Sequence, residues 1–177
     1  MDEIITSNKN DKIKYLKKLY KSSKRKKEAK FILEGYRLIK QAKDSGINLD
    51  YIFITPELAE KKEYKNLIDN AKHFYLVNDK LIDEISDTVN SQGIIAIAPN
   101  IDEKINCMNK YNKILLLDRV QDPGNMGTII RSAAASGFEA IISLKGSVDI
   151  YNLKVIRATA GAIFTIPFIN KMNFFFF

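Results

Sequence analysis

The chain is poor in the residues that build metal sites and disulfide frameworks. Its 177 residues include one cysteine, one histidine and no tryptophan. A lone Cys107 excludes an internal disulfide framework, and one cysteine with one histidine is too few for the usual four-ligand zinc site. We therefore expect neither a disulfide-stapled fold nor a bound metal.

The chain also lacks any long apolar run. No stretch approaches the roughly 20 apolar residues that a membrane span needs. The first residues do not show the charged-then-apolar layout of a secretory signal. With 46% hydrophobic and 28% charged residues, the composition is that of a folded globular protein. We expect a cytoplasmic protein, without a membrane partner, that forms one medium domain or two small ones.

Positive charge is concentrated at the start of the chain. Residues 1–30 hold eleven Lys or Arg against four Asp or Glu, a net charge of +7 that equals the net charge of the whole chain. Phosphate groups are the natural partners of such a patch, because each contact releases condensed counterions. A solvated lysine face is the alternative, and the dense run at residues 24–27 favours nucleic acid over it. A membrane surface is disfavoured because large apolar residues do not dominate the opposite helix face.

Strands alternate with helices over the first hundred residues. A helix is predicted from Asn10 or Asp11 to about Tyr20, and the basic run after it is predicted to be a loop. Further strands are predicted at 31–34, 51–55, 73–77 and 93–98, and further helices at 35–45, 57–70 and 80–86. The pattern predicts a layered α/β domain over residues 1–98, followed by a polar linker at 99–112.

A second α/β unit is predicted over residues 113–177. Its strand at 113–118 is almost continuously apolar, as is typical of a strand at the centre of a parallel sheet. We expect a helix at 126–136, with Asn125 as its N-cap and Gly137 as its left-handed stop. A strand at 140–144, a helix at 151–160 and a strand at 163–168 complete a parallel, doubly wound series.

The helix that follows Asn125 has the features of an anion site. It starts at the carboxyl end of a buried strand, where open α/β sheets place their ligands, and its N-terminus favours negative charge. Gly127 lies one turn before Arg131 and is predicted to leave room beside the arginine for a ligand. The alternative is that Arg131 is an ordinary surface residue and the glycines mark turns. Walker and dinucleotide fingerprints are absent.

The segment Asp122-Pro123-Gly124-Asn125-Met126-Gly127, with Arg131, Ala133-Ala134-Ala135 and Gly137, resembles the first signature motif of the SpoU/TrmH RNA ribose methyltransferases. The resemblance continues through residues 148–164, which in that family pack beside the active site and here include Arg157 and Gly161. Gly127 and Gly137 are expected to pack there too. Residues 31–39 are similar to the opening of the family's RNA-binding domain, which has a ribosomal-protein-like α/β fold. The resemblance thus implies RNA-binding residues, which are Lys21, Lys24, Arg25, Lys26, Lys27 and Arg37.

The resemblance implies S-adenosylmethionine-dependent methylation of a ribose 2′-hydroxyl in rRNA or tRNA. Arg131 matches the family's catalytic arginine and Asn125 the asparagine of the same motif. The family's two later motifs form the cofactor pocket, the trefoil knot and much of the homodimer interface, and neither occurs in residues 138–177. We therefore expect the cofactor contacts beyond Phe177, weak or no S-adenosylmethionine binding by this chain, an incomplete knot and no family-type dimer.

The four terminal phenylalanines follow a loss of pattern at residues 170–173. We interpret this end as a truncated or frameshifted product of a longer methyltransferase, with a natural short chain whose tail docks on a partner as the alternative. The alternative function is an RNA-binding protein without catalysis, since the cofactor motifs are missing from this chain.

Overall fold

The computed structural model describes residues 3–103 and 109–172, and the side chains of all of these except residues 171 and 172. The chain divides into two compact units, Met1–Asn100 and Ile101–Phe177. The predicted linker falls partly outside the described residues, and the terminal phenylalanines fall wholly outside them.

The first unit is a four-stranded mixed sheet with helices. Its strand order is β1-β4-β2-β3, with β4 antiparallel to β1 and β2, and β2 parallel to β3. The elements are α1 (Asp11–Leu19), α2 (Ser22–Glu28), β1 (Lys30–Glu34), α3 (Tyr36–Asp44), β2 (Leu49–Ile54), α4 (Pro56–Ala59), α5 (Lys62–Asp69), β3 (Ala71–Leu76), α6 (Asp79–Ile85) and β4 (Ile94–Pro99).

Helices cover both faces of this sheet. Tyr51 and Phe53 of β2 lie on one face and line a cleft together with Tyr15 of α1. Successive side chains of a strand point to opposite faces. On the other face, Phe74 and Leu76 of β3 line a cleft with residues of α4 and α5. The layered α/β architecture predicted for this unit is confirmed.

The first helix forms as the sequence predicts. The Asn10 side chain accepts a hydrogen bond from the Lys12 amide at 2.9 Å, which satisfies one of the free donors at the helix start. Ile13, Leu16 and Leu19 recur at helical spacing and are fully buried against the sheet. The apolar stripe and the cap are both confirmed.

The basic run is a helix, and the prediction of a loop there is wrong. Ser22–Glu28 forms α2, which ends at Ala29 in the left-handed region with φ +50°. Lys, Arg and Glu are good helix formers, and Lys24 pairs with Glu28 one turn later at 2.6 Å. These local preferences outweigh the two serines, which occupy the first turn of the helix.

Predicted helix 57–70 is also corrected, because it divides into α4 and α5. Pro56 starts α4 at a position where a proline has no amide bond to lose, and the helix ends after one turn at Glu60. A new helix begins at Lys62 after Lys61 adopts extended geometry.

The second unit is a parallel sheet of three strands in the order β5-β6-β7. Its elements are β5 (Ile114–Leu117), α7 (Pro123–Ala135), β6 (Ala140–Leu144), α8 (Leu153–Ala158), a 3₁₀ helix (Ala162–Phe164) and β7 (Phe168–Met172). The predicted strand at 163–168 is wrong, because Gly161 at φ +90° turns the chain into the 3₁₀ helix first. Strand β7 therefore continues through residues 170–172, although the sequence pattern is lost there.

Strand β5 lies at an edge of this sheet, not at its centre. Ile114 and Leu116 share a face with Ala140 and Ile142 of β6 and are 36% and 41% exposed. The prediction of a central strand, which was based on the continuous run of apolar residues, is therefore wrong for the described sheet. One face of β5 is accessible in the described residues.

Helices α7 and α8 pack against each other, and Leu115 lies on the α7 side of the sheet. Among residues 109–172 the two helices therefore lie on the same face. The predicted parallel strand order is confirmed, while a doubly wound arrangement would need helices on both faces.

Candidate functional site

The helix that carries the predicted catalytic residues begins at Asp122. The Asp122 carboxylate accepts a hydrogen bond from the Asn125 amide at 2.7 Å, and Pro123 occupies the first helical position. The prediction that Asn125 caps the helix is therefore wrong. An acidic residue directly before a proline was the signal for this start, because proline is pre-organised for the first turn. Asn125 lies within that turn, with its side chain exposed.

The loops that follow β5 and β6 are tied together at the carboxyl edge of the sheet. The Val148 amide donates to the Val120 carbonyl at 2.8 Å. The Ser147 hydroxyl accepts from the Val120 amide at 3.2 Å and donates to the Leu117 carbonyl at 3.4 Å. Ser147 is buried, so these contacts are protected from water. The edge at which α7 begins is thus held in place, and it is the edge at which such sheets bind ligands.

Arg119 is a cation at this edge that sequence reasoning missed. It adopts a left-handed backbone with φ +51°, which costs energy for a residue with a side chain. Its Cγ lies 3.1 Å from where a Cβ on Gly146 would stand, which is a tight contact, and the φ of +101° at Gly146 itself favours glycine there. The side chain is 78% exposed, with Nε 3.7 Å from the Asp118 carboxylate. Its place directly after an apolar strand was the available signal.

Gly127 allows two helices to touch and does not leave room for a ligand. A Cβ at this position would lie 2.3 Å from the Ala158 Cβ and 2.9 Å from the Val155 carbonyl oxygen. No side chain can occupy such a position without moving α8. The prediction that Gly127 leaves space beside Arg131 is therefore wrong. At that position, one turn before Arg131, α7 and α8 are in close contact.

Arg131 and Asn125 are both exposed on α7. Six residues of helix separate them by about 9 Å along the axis and place them on different sides of it. The structure therefore presents both side chains to solvent from one helix, but as two points separated along it. A ligand that contacts both side chains must therefore span the distance between these two points.

Gly137 has a conformational role at the far end of α7. Its φ is +72°, as predicted for a left-handed stop. The Phe138 amide donates to the Ala133 carbonyl at 3.0 Å and the Gly137 amide to the Ala134 carbonyl at 3.4 Å. This pair of bonds is the usual way for a glycine to close a helix.

Two residues in or next to α8 were predicted to pack beside the active site, and they differ in burial. Arg157 is half-buried in the last turn of α8, and Gly161 is buried in the left-handed turn that follows. Nearby Tyr151 is 2% exposed, and its hydroxyl accepts from the Ile101 amide at 2.8 Å. Burial, and after it the charge of Asp102, raise the pKa of Tyr151, so the phenol stays protonated and structural.

Arg25 is the predicted RNA-binding residue that the first unit buries. Only 3% of it is exposed. One guanidinium nitrogen donates to the Leu19 carbonyl at 3.0 Å and to the Tyr20 carbonyl at 2.8 Å. These carbonyls end α1 and have no partner within their own helix. Arg25 therefore stabilises the α1–α2 corner and is unavailable to a phosphate.

The other cations of this run remain at the surface. Lys21, Lys26 and Lys27 are exposed, while Lys24 is engaged by Glu28. Arg37 is exposed on α3, which packs through Tyr36 against Tyr64 of α5, with 4.8 Å between the ring centroids. Helix α3 thus belongs to the layer with α5, and Arg37 is exposed on that helix.

Within residues 3–103 and 109–172, every helix is too short or too polar to span a membrane. No group of three or more His, Cys, Asp or Glu side chains is arranged there to hold a metal ion.

Two family models match the chain, one within each of the two units. Residues 10–96 match the MRM3-like substrate binding domain, and residues 112–175 match the SpoU rRNA Methylase family.

Curated relatives align over most of the chain. It is 32% identical over 167 residues to the 23S rRNA (guanosine(2553)-2'-O)-methyltransferase RlmP of Bacillus subtilis, covering 94% of this chain and 64% of that protein. It is 36% identical over 157 residues to human rRNA methyltransferase 3, mitochondrial, covering 84% of this chain and 37% of that protein. The chain therefore spans less than two thirds of the length of these relatives.

Solved structures share the fold. The crystal structure of an rRNA methyltransferase from Sinorhizobium meliloti superposes with a TM-score of 0.85 at 28% identity, covering 97% of this chain and 66% of that one. An AdoMet-bound rRNA methyltransferase from the same organism superposes with a TM-score of 0.82 at 29% identity, covering 96% and 64%.

Proposed function

The chain belongs to the SpoU/TrmH family of RNA methyltransferases, and on that premise we propose that it acts in S-adenosylmethionine-dependent methylation of a ribose 2′-hydroxyl in rRNA or tRNA. The observation that carries the proposal is the exposure of Asn125 and Arg131 on α7, whose capped start lies at the carboxyl edge of a parallel sheet. The B. subtilis relative is named as a ribose 2′-O-methyltransferase of 23S rRNA, which supports the same chemistry here.

Arg131 acts on the RNA, not as the base. A guanidinium stays protonated in proteins, so Arg131 cannot take the proton of the 2′-hydroxyl. It binds the neighbouring phosphate and stabilises negative charge as it develops on the ribose oxygen. The proton passes to another group or to the phosphate itself. Asn125 donates and accepts hydrogen bonds at the ribose and fixes its orientation.

The described residues supply the RNA-facing part of this site. A recess on the second unit lined by Leu115, Ile129, Phe138 and small residues of α7 has a volume of about 220 Å³ and carries no charged side chain. Cofactor sites start at roughly 300 Å³ and place polar groups at fixed points. This recess therefore does not fit S-adenosylmethionine.

The first unit holds the RNA. Lys21, Lys26 and Lys27 are exposed on or beside α2 and form a cationic surface for the phosphate backbone. Arg37 contributes a separate contact from α3. We propose a structured cytoplasmic RNA as the partner, and the homodimer of the family is not needed for these contacts.

Transfer of a tritiated methyl group from S-adenosylmethionine to an unmodified RNA transcript, by a full-length version of the protein that supplies the cofactor contacts, tests the proposal. Alkaline hydrolysis then locates the label, because a 2′-O-methylated ribose cannot assist cleavage of its own phosphodiester. We expect label in alkali-resistant dinucleotides. Arg131→Ala should lower the rate about 10²–10³-fold while RNA affinity falls by less than about 3-fold. Lys113→Ala, an exposed cation at the opposite, amino-terminal edge of the same sheet, is the matched control and should change neither quantity.

The opposite results identify the alternatives. RNA binding without any label transfer would favour an RNA-binding protein without catalysis. Loss of RNA affinity with an unchanged single-turnover rate in Arg131→Ala would contradict the catalytic role and leave Arg131 as a binding residue.

A further inference from the structure

An aromatic cluster lies on the α1 face of the first sheet. It consists of Tyr15, Tyr51, His73 and Tyr75. Tyr51 stands directly opposite His73 in the β2–β3 register, and their rings stack with 5.3 Å between centroids and 26° between planes. Tyr75 lies parallel to Tyr51 at 6.2 Å and 16°. Tyr15 meets Tyr51 edge-on at 5.9 Å and 62°.

The cluster ends at an open edge of the sheet. Strand β3 is the last strand in the sheet order, and the bridge between Ile5 and Val77 lies beyond its end. His73 is exposed and Tyr51 and Tyr75 are half-buried. In the described part of this unit, the stack of rings therefore runs from the interior to the surface, where another flat ring can extend it.

Two lysines stand over the faces of these rings. The Lys12 ammonium lies 5.6 Å from the centre of Tyr75, and Lys30 lies 5.3 Å from that of Tyr51. Both distances are those of cation–π contacts. Lys30 is also bound to Asp50 at 3.0 Å, which fixes its position, whereas Lys12 is exposed and can reach a phosphate.

The adjoining cleft is the size of a small flat ligand. It has a volume of about 270 Å³ and is lined by Asp11, Lys12, Tyr15, Tyr51 and Phe53. That volume is just below the roughly 300–1,000 Å³ of sites that enclose a whole drug-sized molecule. The cleft is therefore too small to bury a complete nucleotide. A single nucleobase stacked at the open end of the cluster does not need to be buried in it.

We propose that the aromatic cluster binds an unpaired RNA base by stacking, with Lys12 on the adjacent phosphate. Aromatic rings interleaved with cations are how proteins hold single-stranded nucleic acid, since every base offers a π face. A base within a duplex has both faces covered by its neighbours, so the cluster selects unpaired nucleotides. The inference rests on the proposed function, because it requires RNA to be the partner, and it adds the kind of RNA segment that the first unit recognises.

The test uses the full chain and an RNA of about eight unstructured nucleotides with 2-aminopurine at its centre. The fluorescence of 2-aminopurine is quenched when it stacks on an aromatic ring. The same sequence in a duplex is the paired comparison. His73→Ala and Tyr75→Leu remove rings of the cluster. Phe74→Leu is the matched control, because Phe74 is a 37% exposed aromatic on the same strand that points to the opposite face.

We expect binding of the single strand to quench the fluorescence. His73→Ala and Tyr75→Leu should each weaken single-strand binding roughly 5- to 50-fold and reduce the quenching. Duplex affinity should change by less than about 2-fold, because it depends on phosphate contacts. Phe74→Leu should bind both RNAs as the unmodified chain does.

The double variant Lys26→Gln, Lys27→Gln separates this inference from the function on which it rests. If the double variant weakens binding of both RNAs while His73→Ala and Tyr75→Leu bind the single strand normally, stacking is excluded. RNA remains the partner in that case. If the unmodified chain binds neither RNA, the proposed partner fails and the inference fails with it. Stacking would also be excluded if Phe74→Leu and Tyr75→Leu lost the same amount of single-strand affinity. It would be excluded as well if poly-glutamate, a polyanion without bases, displaced the single strand as readily as it displaces the duplex.

Discussion

The two units use arginine in opposite ways. In the first, Arg25 is 3% exposed and ties the end of α1 to α2, so a cation from the most basic run of the chain has a structural role. In the second, Arg131 is exposed on α7 beside a helix contact so close that only glycine fits at position 127. Residue type and local charge therefore do not separate the structural arginine from the functional one. Packing does so.

The packing of α7 on α8 is the most sensitive point of the second unit. Gly127→Ala should destabilise that unit by about 3 kcal/mol or more, because the new methyl would overlap Ala158. Amide hydrogen exchange should show faster exchange in β6 and unchanged exchange in β4. Adding Ala158→Gly should restore part of the loss. Gly124→Ala, also on α7 and opposed only by the capping oxygen of Asp122 at 3.1 Å, is the control and should cost about 1 kcal/mol at most; equal effects of the two would show that Gly127 is not a packing residue.

The corresponding weak point of the first unit is Arg25. Arg25→Met should cost about 2–3 kcal/mol of stability, since two carbonyls at the end of α1 lose a charged donor. Thermal unfolding followed by circular dichroism measures the loss. Lys26→Gln, its exposed neighbour, should stay within about 0.5 kcal/mol while lowering RNA affinity. If Arg25→Met were stable and bound RNA poorly, the contrast between the two arginines would disappear.

Asp50 gives the first unit an acid-sensitive contact. Burial acts to raise the pKa of Asp50, but hydrogen bonds from Lys72 at 2.6 Å and Lys30 at 3.0 Å outweigh it, so the pKa is lowered. A lowered pKa stabilises the fold above the ordinary value of 3.8, and this stability is lost as the pH falls through the folded-state pKa.

Asp50→Asn should therefore lower stability by about 1–2 kcal/mol at neutral pH, a value reduced because Lys72 is 63% exposed. The difference from the unmodified chain should shrink in acid. Urea unfolding at neutral and acidic pH measures both values. A difference that is constant with pH would show that the carboxylate charge contributes nothing.

The smallest expected effect lies at the start of α7. Asp122→Ala should cost about 1 kcal/mol, because the Asn125 amide loses its capping acceptor. Asp122→Asn should retain most of the stability, since an amide oxygen also caps. Equal losses in the two variants would mean that the negative charge, not the cap, stabilises the helix start. Chemical denaturation of both variants distinguishes these outcomes.

Local signals predicted much of the fold. The cap at Asn10, the buried stripe of α1 and the left-handed stop at Gly137 follow from preferences within a few residues, and the structure shows all three. The parallel order of the second unit follows from its strand–helix alternation. The predictions that were wrong rest on residues that can take either of two structural roles. Two serines can break a helix or begin one, and Asn125 and Asp122 can both cap.

The family, the α/β class of both units and the choice of Asn125 and Arg131 as candidates for the ribose could all be read from the amino-acid sequence. These depend on residue types at fixed spacing, which the chain shows directly. The burial of Arg25, the helix contact at Gly127 and the stack of Tyr51, His73 and Tyr75 at an open edge emerge only in the folded protein. The physical reason is that these roles depend on distances between residues far apart in the chain, and strand register and helix packing set those distances.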